Sequence, residues 1–232
     1  PMKRMKIISL IAAVLFMMTG AFNAFAYKFD FTTVSDVVKN IKKTYGDLES
    51  YQANFSIVSE KDGRKSVQSG VLRFKASDRL LMEFYQPSRQ KIVSNGEMMW
   101  IYIPSMNVVA EQDLMSESGL FSSGSQAGLN RLFNKYHYRF ASKDEPETMK
   151  DGSKMYTLIL KQKESRSGYR TITLWVTENF FIQKAEGITS TGKKVEITLS
   201  DIKTNVDLPN GIFKFDIPAT ARVIKNPMIS EE

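Results

Sequence analysis

Short β-type segments joined by tight turns dominate this chain and constrain its fold more than any other feature. The stretch 70–104 reads as four consecutive strands, beginning with 71–75 and 80–85. Asn95-Gly96 is the typical dipeptide of a two-residue hairpin turn. Further strands are predicted over 136–141, 154–163, 169–177, 180–190 and 194–203. Because no crossover helix separates these strands, the sequence predicts an antiparallel sheet.

The hairpin turn also predicts which side chains share a face of the sheet. A two-residue loop at Asn95-Gly96 pairs Ile92 with Met99. If Glu83 pairs with Lys91 on the preceding strand, one side of this stretch is continuously apolar. That side carries Leu80, Met82, Phe84, Ile92, Met99 and Ile101. The opposite side carries Lys91, Val93, Met98, Trp100 and Tyr102.

The two preceding strands alternate in the same way. Their apolar residues are Tyr51, Ala53, Phe55 and Ile57 in the first strand, and Leu72 and Phe74 in the second. Such alternation predicts one buried face and one face in contact with water. Arg73 and Lys75 are the charged outward residues of the second strand.

A helix is predicted before the strands. Its apolar stripe consists of Val34, Val37, Val38, Ile41, Tyr45 and Leu48. Thr33 is placed to cap the first turn together with Asp36, and Gly46 is placed to end the last turn. The stripe predicts a helix packed on the sheet, over either a permanent core or a cavity.

The first 26 residues have the pattern of a secretory signal peptide. Three basic side chains precede an apolar run over 7–22, and Ala24-Phe25-Ala26 supplies the small residues of a cleavage site. A transmembrane anchor is the alternative, but about 16 apolar residues are fewer than the ~20 that a span requires. We therefore expect export to the periplasm, cleavage after Ala26 and a single domain over 27–232.

Composition excludes several classes of function. The chain has no cysteine, which excludes disulfides, thiol catalysis, cysteine-ligated metals and a lipid-modified N-terminal cysteine. The formal charge of +7 falls to +4 without the basic residues of the signal peptide, too small for nucleic-acid binding. His137 has no carboxylate at ligand spacing, so we expect no metal site. Without a nucleophile motif or a phosphate-binding glycine loop, we expect no enzyme and no cofactor.

The segment 111–128, rich in Ser and Gly, interrupts the β pattern. Its apolar residues are Leu114, Met115, Leu120 and Phe121. Eighteen residues without periodicity are long for a connection in a compact domain, which leaves a lid, a plain loop or disorder. Apolar side chains on a flexible carrier favour a lid. A short helix is predicted to follow over 129–136.

Several motifs follow one another in order along the chain. They are Tyr51-Gln52-Ala53-Asn54-Phe55, Gly70, Gln86-Pro87, Ile92-Val93-Ser94-Asn95-Gly96, Trp100-Ile101-Tyr102-Ile103-Pro104, Leu208-Pro209, Phe213-Lys214-Phe215 and Pro218. Together they resemble the periplasmic outer-membrane lipoprotein carriers (LolA-type). The resemblance implies a mainly β (α+β) fold, in which a single curved antiparallel sheet forms an unclosed half-barrel. An N-terminal helix and a helical or loop lid would cover its concave face.

The resemblance also implies a periplasmic carrier that shields acyl chains and transfers lipoproteins from the inner to the outer membrane. Its partners would be lipoprotein acyl chains, an inner-membrane lipoprotein-releasing transporter and an outer-membrane acceptor, and the carrier would be a monomer. The predicted acyl-chain site consists of Phe55, Leu72, Phe74, Leu80, Met82, Phe84, Ile92, Met99 and Ile101. The predicted lid residues are Val37, Ile41, Leu114, Met115, Leu120 and Phe121.

One position departs from the family pattern. Many members carry Arg-Pro after the second strand, where the arginine holds the lid closed, and the aligned residues here are Ala76-Ser77. Either another residue, for example Lys75 or Arg79, holds the lid, or the lid is controlled differently. Little room is left after Pro218 for the extra C-terminal strand of some members.

Two other functions fit the same half-barrel. A periplasmic sensor domain could bind lipid or mislocalised lipoprotein as a signal, although such sensors usually need a partner-binding domain or an anchor. A carrier of another hydrophobic ligand is equally compatible with the sequence pattern.

Overall fold

One curved, unclosed sheet of 13 strands with two helices is the architecture of the described chain. The computed structural model describes residues 32–86, 89–113, 126–164 and 168–225. The predicted signal peptide and the predicted lid residues Leu114, Met115, Leu120 and Phe121 lie outside these ranges.

The elements follow the predicted order, with several additions. The helices are α1 (Val34–Asp47) and α2 (Gln126–Lys135). The first seven strands are β1 (Ser50–Lys61), β2 (Arg64–Lys75), β3 (Arg79–Gln86), β4 (Lys91–Asn95), β5 (Met98–Ile103), β6 (Val108–Asp113) and β7 (Tyr136–Phe140). The others are β8 (Glu147–Thr148), β9 (Lys154–Gln162), β10 (Tyr169–Thr177), β11 (Ile182–Thr189), β12 (Lys194–Thr204) and β13 (Arg222–Lys225).

The sheet is antiparallel as predicted, except at one edge. Its strand order is β13-β6-β5-β4-β3-β2-β1-β12-β11-β10-β9-β7, with β8 paired to β9. β13 runs parallel to β6, which makes the sheet mixed. This four-residue strand follows Pro218, so the expectation that little room is left there is wrong. Before it reaches β6, the chain passes over the face of the sheet opposite the helices.

The segment predicted as a long lid is shorter than expected. Residues 111–113 belong to β6, where the side chain of Gln112 is buried. Residues 126–128 belong to α2, which begins three residues before the predicted helix. Only 114–125 lies between these two elements, and it is outside the described residues.

The β4–β5 turn lies one residue later than predicted, at Gly96-Glu97. The Asn95 side-chain oxygen accepts hydrogen bonds from the backbone N–H groups of Glu97 and Met98, both at 2.9 Å. Gly96 adopts a φ of +101°, a conformation open to glycine at the first central turn position. Ile92 therefore pairs with Ile101 rather than with Met99. A shift of two residues keeps every side chain on its predicted face.

Glu83 and Lys91 pair across β3 and β4, as the sequence prediction assumed. The Glu83 carboxylate accepts from Arg73 Nη1 at 2.7 Å and lies 3.2 Å from Lys91 Nζ. Arg73 also donates from Nε to Gln52 Oε1 at 3.0 Å, so a polar row crosses four strands on the face of the sheet opposite the helices, which we call the outer face. Partial burial would raise the pKa of Glu83, but hydrogen bonds from Arg73 and Lys91 and their charges hold it below its ordinary value.

A glutamine at position 83 is expected to destabilise the protein at neutral pH by about 0.5 kcal/mol, since solvent screens this half-exposed row. Because the pKa of Glu83 is depressed in the folded state, its stabilisation exists above the ordinary glutamate pKa. It is lost as the pH falls through the folded-state value. Urea unfolding of wild type and Glu83→Gln between pH 7 and pH 3 should therefore converge at low pH. The exposed Glu178→Gln control should differ little from wild type throughout.

Helix α1 begins as predicted and ends differently. The Thr33 side chain accepts from the Asp36 backbone N–H, and the Asp36 carboxylate accepts from the Thr33 N–H, forming a capping box. Gly46 does not end the helix, which continues to Asp47. Instead, a Cβ at Gly46 would lie 2.4 Å from the Gln126 side-chain nitrogen, which donates to the Lys42 carbonyl at 3.1 Å. The absence of a side chain at Gly46 therefore leaves room for this contact between α1 and α2.

The outer face of β3–β5 is covered by the strap, residues 206–215. Leu208 and Phe213 of the strap are buried against Leu81 and Val93, with Trp100, Val206, Ile212 and Phe215 around them. These eight residues are called the outer cluster. The Phe215 ring lies 6.2 Å from Trp100 and 5.8 Å from Tyr102.

Both cations considered as lid holders contact the strap instead. Lys75 Nζ donates to the Leu208 carbonyl at 2.6 Å, and Arg79 Nη1 donates to Asn210 Oδ1 at 3.1 Å. Strand alternation places Lys75 on the outer face together with Arg73, away from α1. The prediction that Lys75 or Arg79 holds the lid is therefore not supported by their contacts.

Candidate functional site

All nine residues of the predicted acyl-chain site lie in one hydrophobic cluster on the face that carries the helices. We call this face inner and the cluster the inner cluster. Phe55, Leu72, Phe74, Met82, Phe84, Ile92 and Met99 are buried in it, and Leu80 and Ile101 pack at its margin. The structure thus brings the predicted residues together, and their role in binding stays a prediction.

Helix α1 covers the inner cluster directly. Val37 and Ile41, both predicted lid residues, are 0% exposed. Val38 and Tyr45 are also buried, so the apolar stripe of α1 faces the sheet along three turns. In this conformation the inner face is filled by side chains of the sheet and of α1.

A close contact between strands shapes the middle of the inner cluster. Gly70 on β2 lies between Phe55 on β1 and Phe84 on β3, and the pairing of β2 with β3 is irregular at Ser69/Gly70. The Phe55 and Phe84 rings meet edge to face with centroids 4.9 Å apart. The missing side chain at position 70 leaves room for this pair and for the β3 backbone.

Aromatic residues hold the C-terminal end of α1 on the sheet. The Tyr45 ring stacks on Phe181 at 5.0 Å, and the Tyr51 ring stacks on Phe74 at 5.1 Å. The Tyr45 hydroxyl accepts from the Ile182 backbone N–H at 3.1 Å. Desolvation raises the pKa of both Tyr45 and Tyr51, so both phenols are protonated at any physiological pH.

The inner cluster extends well beyond the residues that sequence reasoning selected. Its other half includes Leu158, Leu160, Ile172, Leu174, Val176 and Leu199 from the sheet, and Leu129 and Phe133 from α2. A usable signal was present, because apolar residues alternate with period 2 along both β9 and β10. Those strands lie outside the 51–110 region, where the family motifs are densest.

An open cleft of about 440 Å³ lies between the two helices. Lys39, Lys42 and Lys43 line it from α1, and Gln126 and Asn130 line it from α2. The cleft reaches Val38, a buried member of the inner cluster. Ser35, Asp47 and Tyr138 complete the lining, and Asp47 pairs with Lys43, so the cleft is mainly polar with Val38 as its buried apolar member.

Metal-binding clusters and membrane-spanning helices are both absent from the ranges that the structure describes. No group of three or more His, Asp or Glu side chains there is arranged to hold a metal ion. His137 lies exposed on β7, opposite Lys161 of β9. None of the helices in these ranges combines the length and the apolar character that crossing a bilayer requires.

Comparison with known proteins identifies the family. The sequence model described as outer membrane lipoprotein carrier protein LolA matches residues 46–216. The chain is 27% identical over 179 residues to the outer-membrane lipoprotein carrier protein of Legionella pneumophila (strain Lens), covering 77% of this chain and 84% of that protein. It is 29% identical over 180 residues to the protein of the same name from Dechloromonas aromatica (strain RCB), covering 77% and 82%.

A solved structure shares the fold at low sequence identity. It is an uncharacterized conserved protein from Thermus thermophilus, with a TM-score of 0.54 and 12% identity, covering 82% of this chain and 98% of that one. Because the family model spans most of the described sheet, from the end of α1 to the strap, the likeness is not confined to one motif. This chain belongs to the outer membrane lipoprotein carrier (LolA) family.

Proposed function

We propose that the protein is a periplasmic lipoprotein carrier that shields acyl chains against the inner cluster. The observation that carries this proposal is the continuous apolar inner face beneath α1, in a chain of the LolA family. Phe55, Leu72, Phe74, Leu80, Met82, Phe84, Ile92, Met99 and Ile101 would contact the acyl chains. The carrier would be exported with cleavage after Ala26, fold as one domain over 27–232 and act as a monomer.

The energetics of lipid transfer support such a surface. Exposing a 16-carbon acyl chain to water costs on the order of 12 kcal/mol, at about 0.8 kcal/mol per CH₂. A carrier in water must therefore offer apolar surface comparable to a bilayer interior. Met82 and Met99 lie within the inner cluster, and flexible thioethers adapt to chains of varied length and shape.

Loading would require α1 to move away from the sheet. The inner face is filled in the present conformation, and most of what holds α1 is apolar contact. Such contacts are non-directional, so an acyl chain can replace them at little net cost. The polar contacts of α1 include the Thr44 hydroxyl, which donates to the Asn179 carbonyl in the β10–β11 turn at 3.3 Å, and the Ile182–Tyr45 hydrogen bond.

Because moving an acyl chain between a bilayer and the carrier would change its free energy little, the membrane partners would set the direction of transfer. We propose an inner-membrane lipoprotein-releasing transporter as the donor and an outer-membrane acceptor as the recipient. The cleft beside Val38 is the proposed point of entry, because it lies between the helices and reaches a buried member of the inner cluster.

Replacing Leu80 by glutamate is expected to abolish lipoprotein release from inner-membrane vesicles while the protein remains folded. Leu80 lies at the margin of the inner cluster and is only partly buried, so a carboxylate there can stay hydrated. Met82, 4% exposed, is a poorer choice because a buried charge would unfold the chain. The readout is the lipoprotein recovered with the carrier in the soluble fraction.

Tyr85→Glu is the matched control, since it puts the same charge on the same strand at a side chain that is 63% exposed. We expect release to remain at the wild-type level with this variant. Undiminished release with a folded Leu80→Glu protein would remove the inner cluster from the binding site.

A further inference from the structure

The Tyr51 hydroxyl is an unusual group in the inner cluster. The side chain is 3% exposed, and within the described ranges its hydroxyl has no hydrogen-bond partner. The other buried tyrosines differ: the Tyr45 hydroxyl accepts from the Ile182 N–H, and the Tyr136 hydroxyl donates to the Tyr169 carbonyl at 2.6 Å. Buried polar groups in folded proteins nearly always have a hydrogen-bond partner, so the unpartnered hydroxyl of Tyr51 requires an explanation.

Tyr51 lies where the proposed acyl site meets the end of α1. It pairs with Phe74 across β1 and β2, and its ring stacks on Phe74, a proposed acyl contact. The Phe181 ring meets it edge-on at 5.3 Å, and the Tyr45 ring does so at 6.4 Å. Two phenols from different elements therefore stand together at one end of an otherwise apolar face.

The chemistry of the ligand supplies what Tyr51 lacks. Every acyl chain ends in an ester or amide carbonyl, whose oxygen loses its hydrogen bonds to water when the chain enters an apolar site. A neutral phenol is a donor suited to that oxygen. A ligand carbonyl would thus satisfy two groups that are otherwise unpaired, one on each partner.

We propose that Tyr51, with Tyr45 beside it, donates a hydrogen bond to an ester carbonyl oxygen of the lipoprotein's glycerol-linked acyl chains. This inference rests on the proposed carrier function and adds a chemical selectivity to it. The site then distinguishes acyl chains from alkyl chains of equal length, which apolar contacts alone cannot do.

The test compares two synthetic lipopeptides that differ only in the linkage of their two C16 chains to glycerol, which is ester in one and ether in the other. Wild type should bind the ester-linked peptide about five- to tenfold more tightly, the range of one hydrogen bond. Tyr51→Phe should lose this preference by weakening for the ester peptide alone. Its thermal midpoint should equal or exceed that of wild type, because no internal hydrogen bond is lost.

Tyr136→Phe is the matched control, since it removes a buried hydroxyl whose partner is known. It should lower the thermal midpoint and keep the ester preference. Equal affinities of wild type for the two peptides, or a preference retained by Tyr51→Phe, would overturn the inference and leave the carrier function standing. A fall in the thermal midpoint of Tyr51→Phe as large as that of Tyr136→Phe would also overturn the inference. Failure of wild type to bind either peptide would overturn the carrier function as well.

Discussion

Replacing Gly70 by alanine is expected to destabilise the protein by more than about 3 kcal/mol, beyond the usual range for overpacking. A Cβ at this position would lie 1.9 Å from the Glu83 carbonyl oxygen and 2.8 Å from Phe55 Cζ. The first contact is with backbone, which cannot rotate away as a side chain does. Urea unfolding followed by circular dichroism measures the loss, and failure to accumulate as folded protein is the extreme outcome.

The large effect arises because Gly70 lies on β2 between β1 and β3, where the β3 backbone leaves no room for a Cβ. Any side chain must separate β2 from β3 or displace the Phe55–Phe84 pair, and both changes open the inner cluster. Gly211→Ala is the control, because nothing lies within 4 Å of a Cβ at that position. We expect it to unfold close to the wild-type midpoint. Equal stability of the two variants would show that the β2–β3 contact is looser than described.

Truncating Phe213 to alanine is expected to cost about 3–5 kcal/mol, the range for a fully buried aromatic side chain. Phe213 is 1% exposed and is the most buried side chain of the strap. Its loss would leave a cavity under the strap and weaken the connection to β13, which has four paired residues. Hydrogen exchange of β13 should therefore accelerate more than that of β1 or β2.

Lipid binding offers a sharper readout of the same variant. The strap packs on the outer face, whereas the proposed acyl site is on the inner face. Under conditions where Phe213→Ala is folded, its affinity for lipopeptide should match that of wild type. Ile217→Ala, at a residue 37% exposed, should change stability by less than about 0.5 kcal/mol. A Phe213→Ala protein as stable as Ile217→Ala would show that the strap is not anchored there.

The hairpin of β4 and β5 shows why strand faces are easier to predict than pairings. The sequence places the turn one residue too early, because Asn-Gly is favoured at the two central positions of a hairpin turn. In the structure Asn95 precedes those positions, and its side-chain oxygen accepts hydrogen bonds from the backbone N–H groups of Glu97 and Met98. The resulting shift was two residues, which preserves the alternation of side chains. The nine predicted site residues therefore came together although Ile92 pairs with Ile101.

Glycines and cations were harder to interpret, because their roles depend on residues far away in sequence. Gly46 has the spacing of a helix end, yet it makes room for Gln126, 80 positions further on. Lys75 and Arg79 stand beside the position of the family's arginine, yet both hold the strap on the other face. The residues adjacent to Tyr45 and Tyr51 in the sequence do not indicate which of the two hydroxyls has a hydrogen-bond partner.

Local periodicity was sufficient to determine the class of fold and the apolar inner face, because alternation along a strand depends only on neighbouring residues. The motifs distributed from Tyr51 to Pro218 were likewise sufficient for the family. Only the tertiary structure decided that the strap covers the outer face, that β13 joins β6 in parallel and that Tyr51 is left without a partner in the described chain. These features are contacts between distant segments, and their free energy appears only once the sheet has brought the segments together.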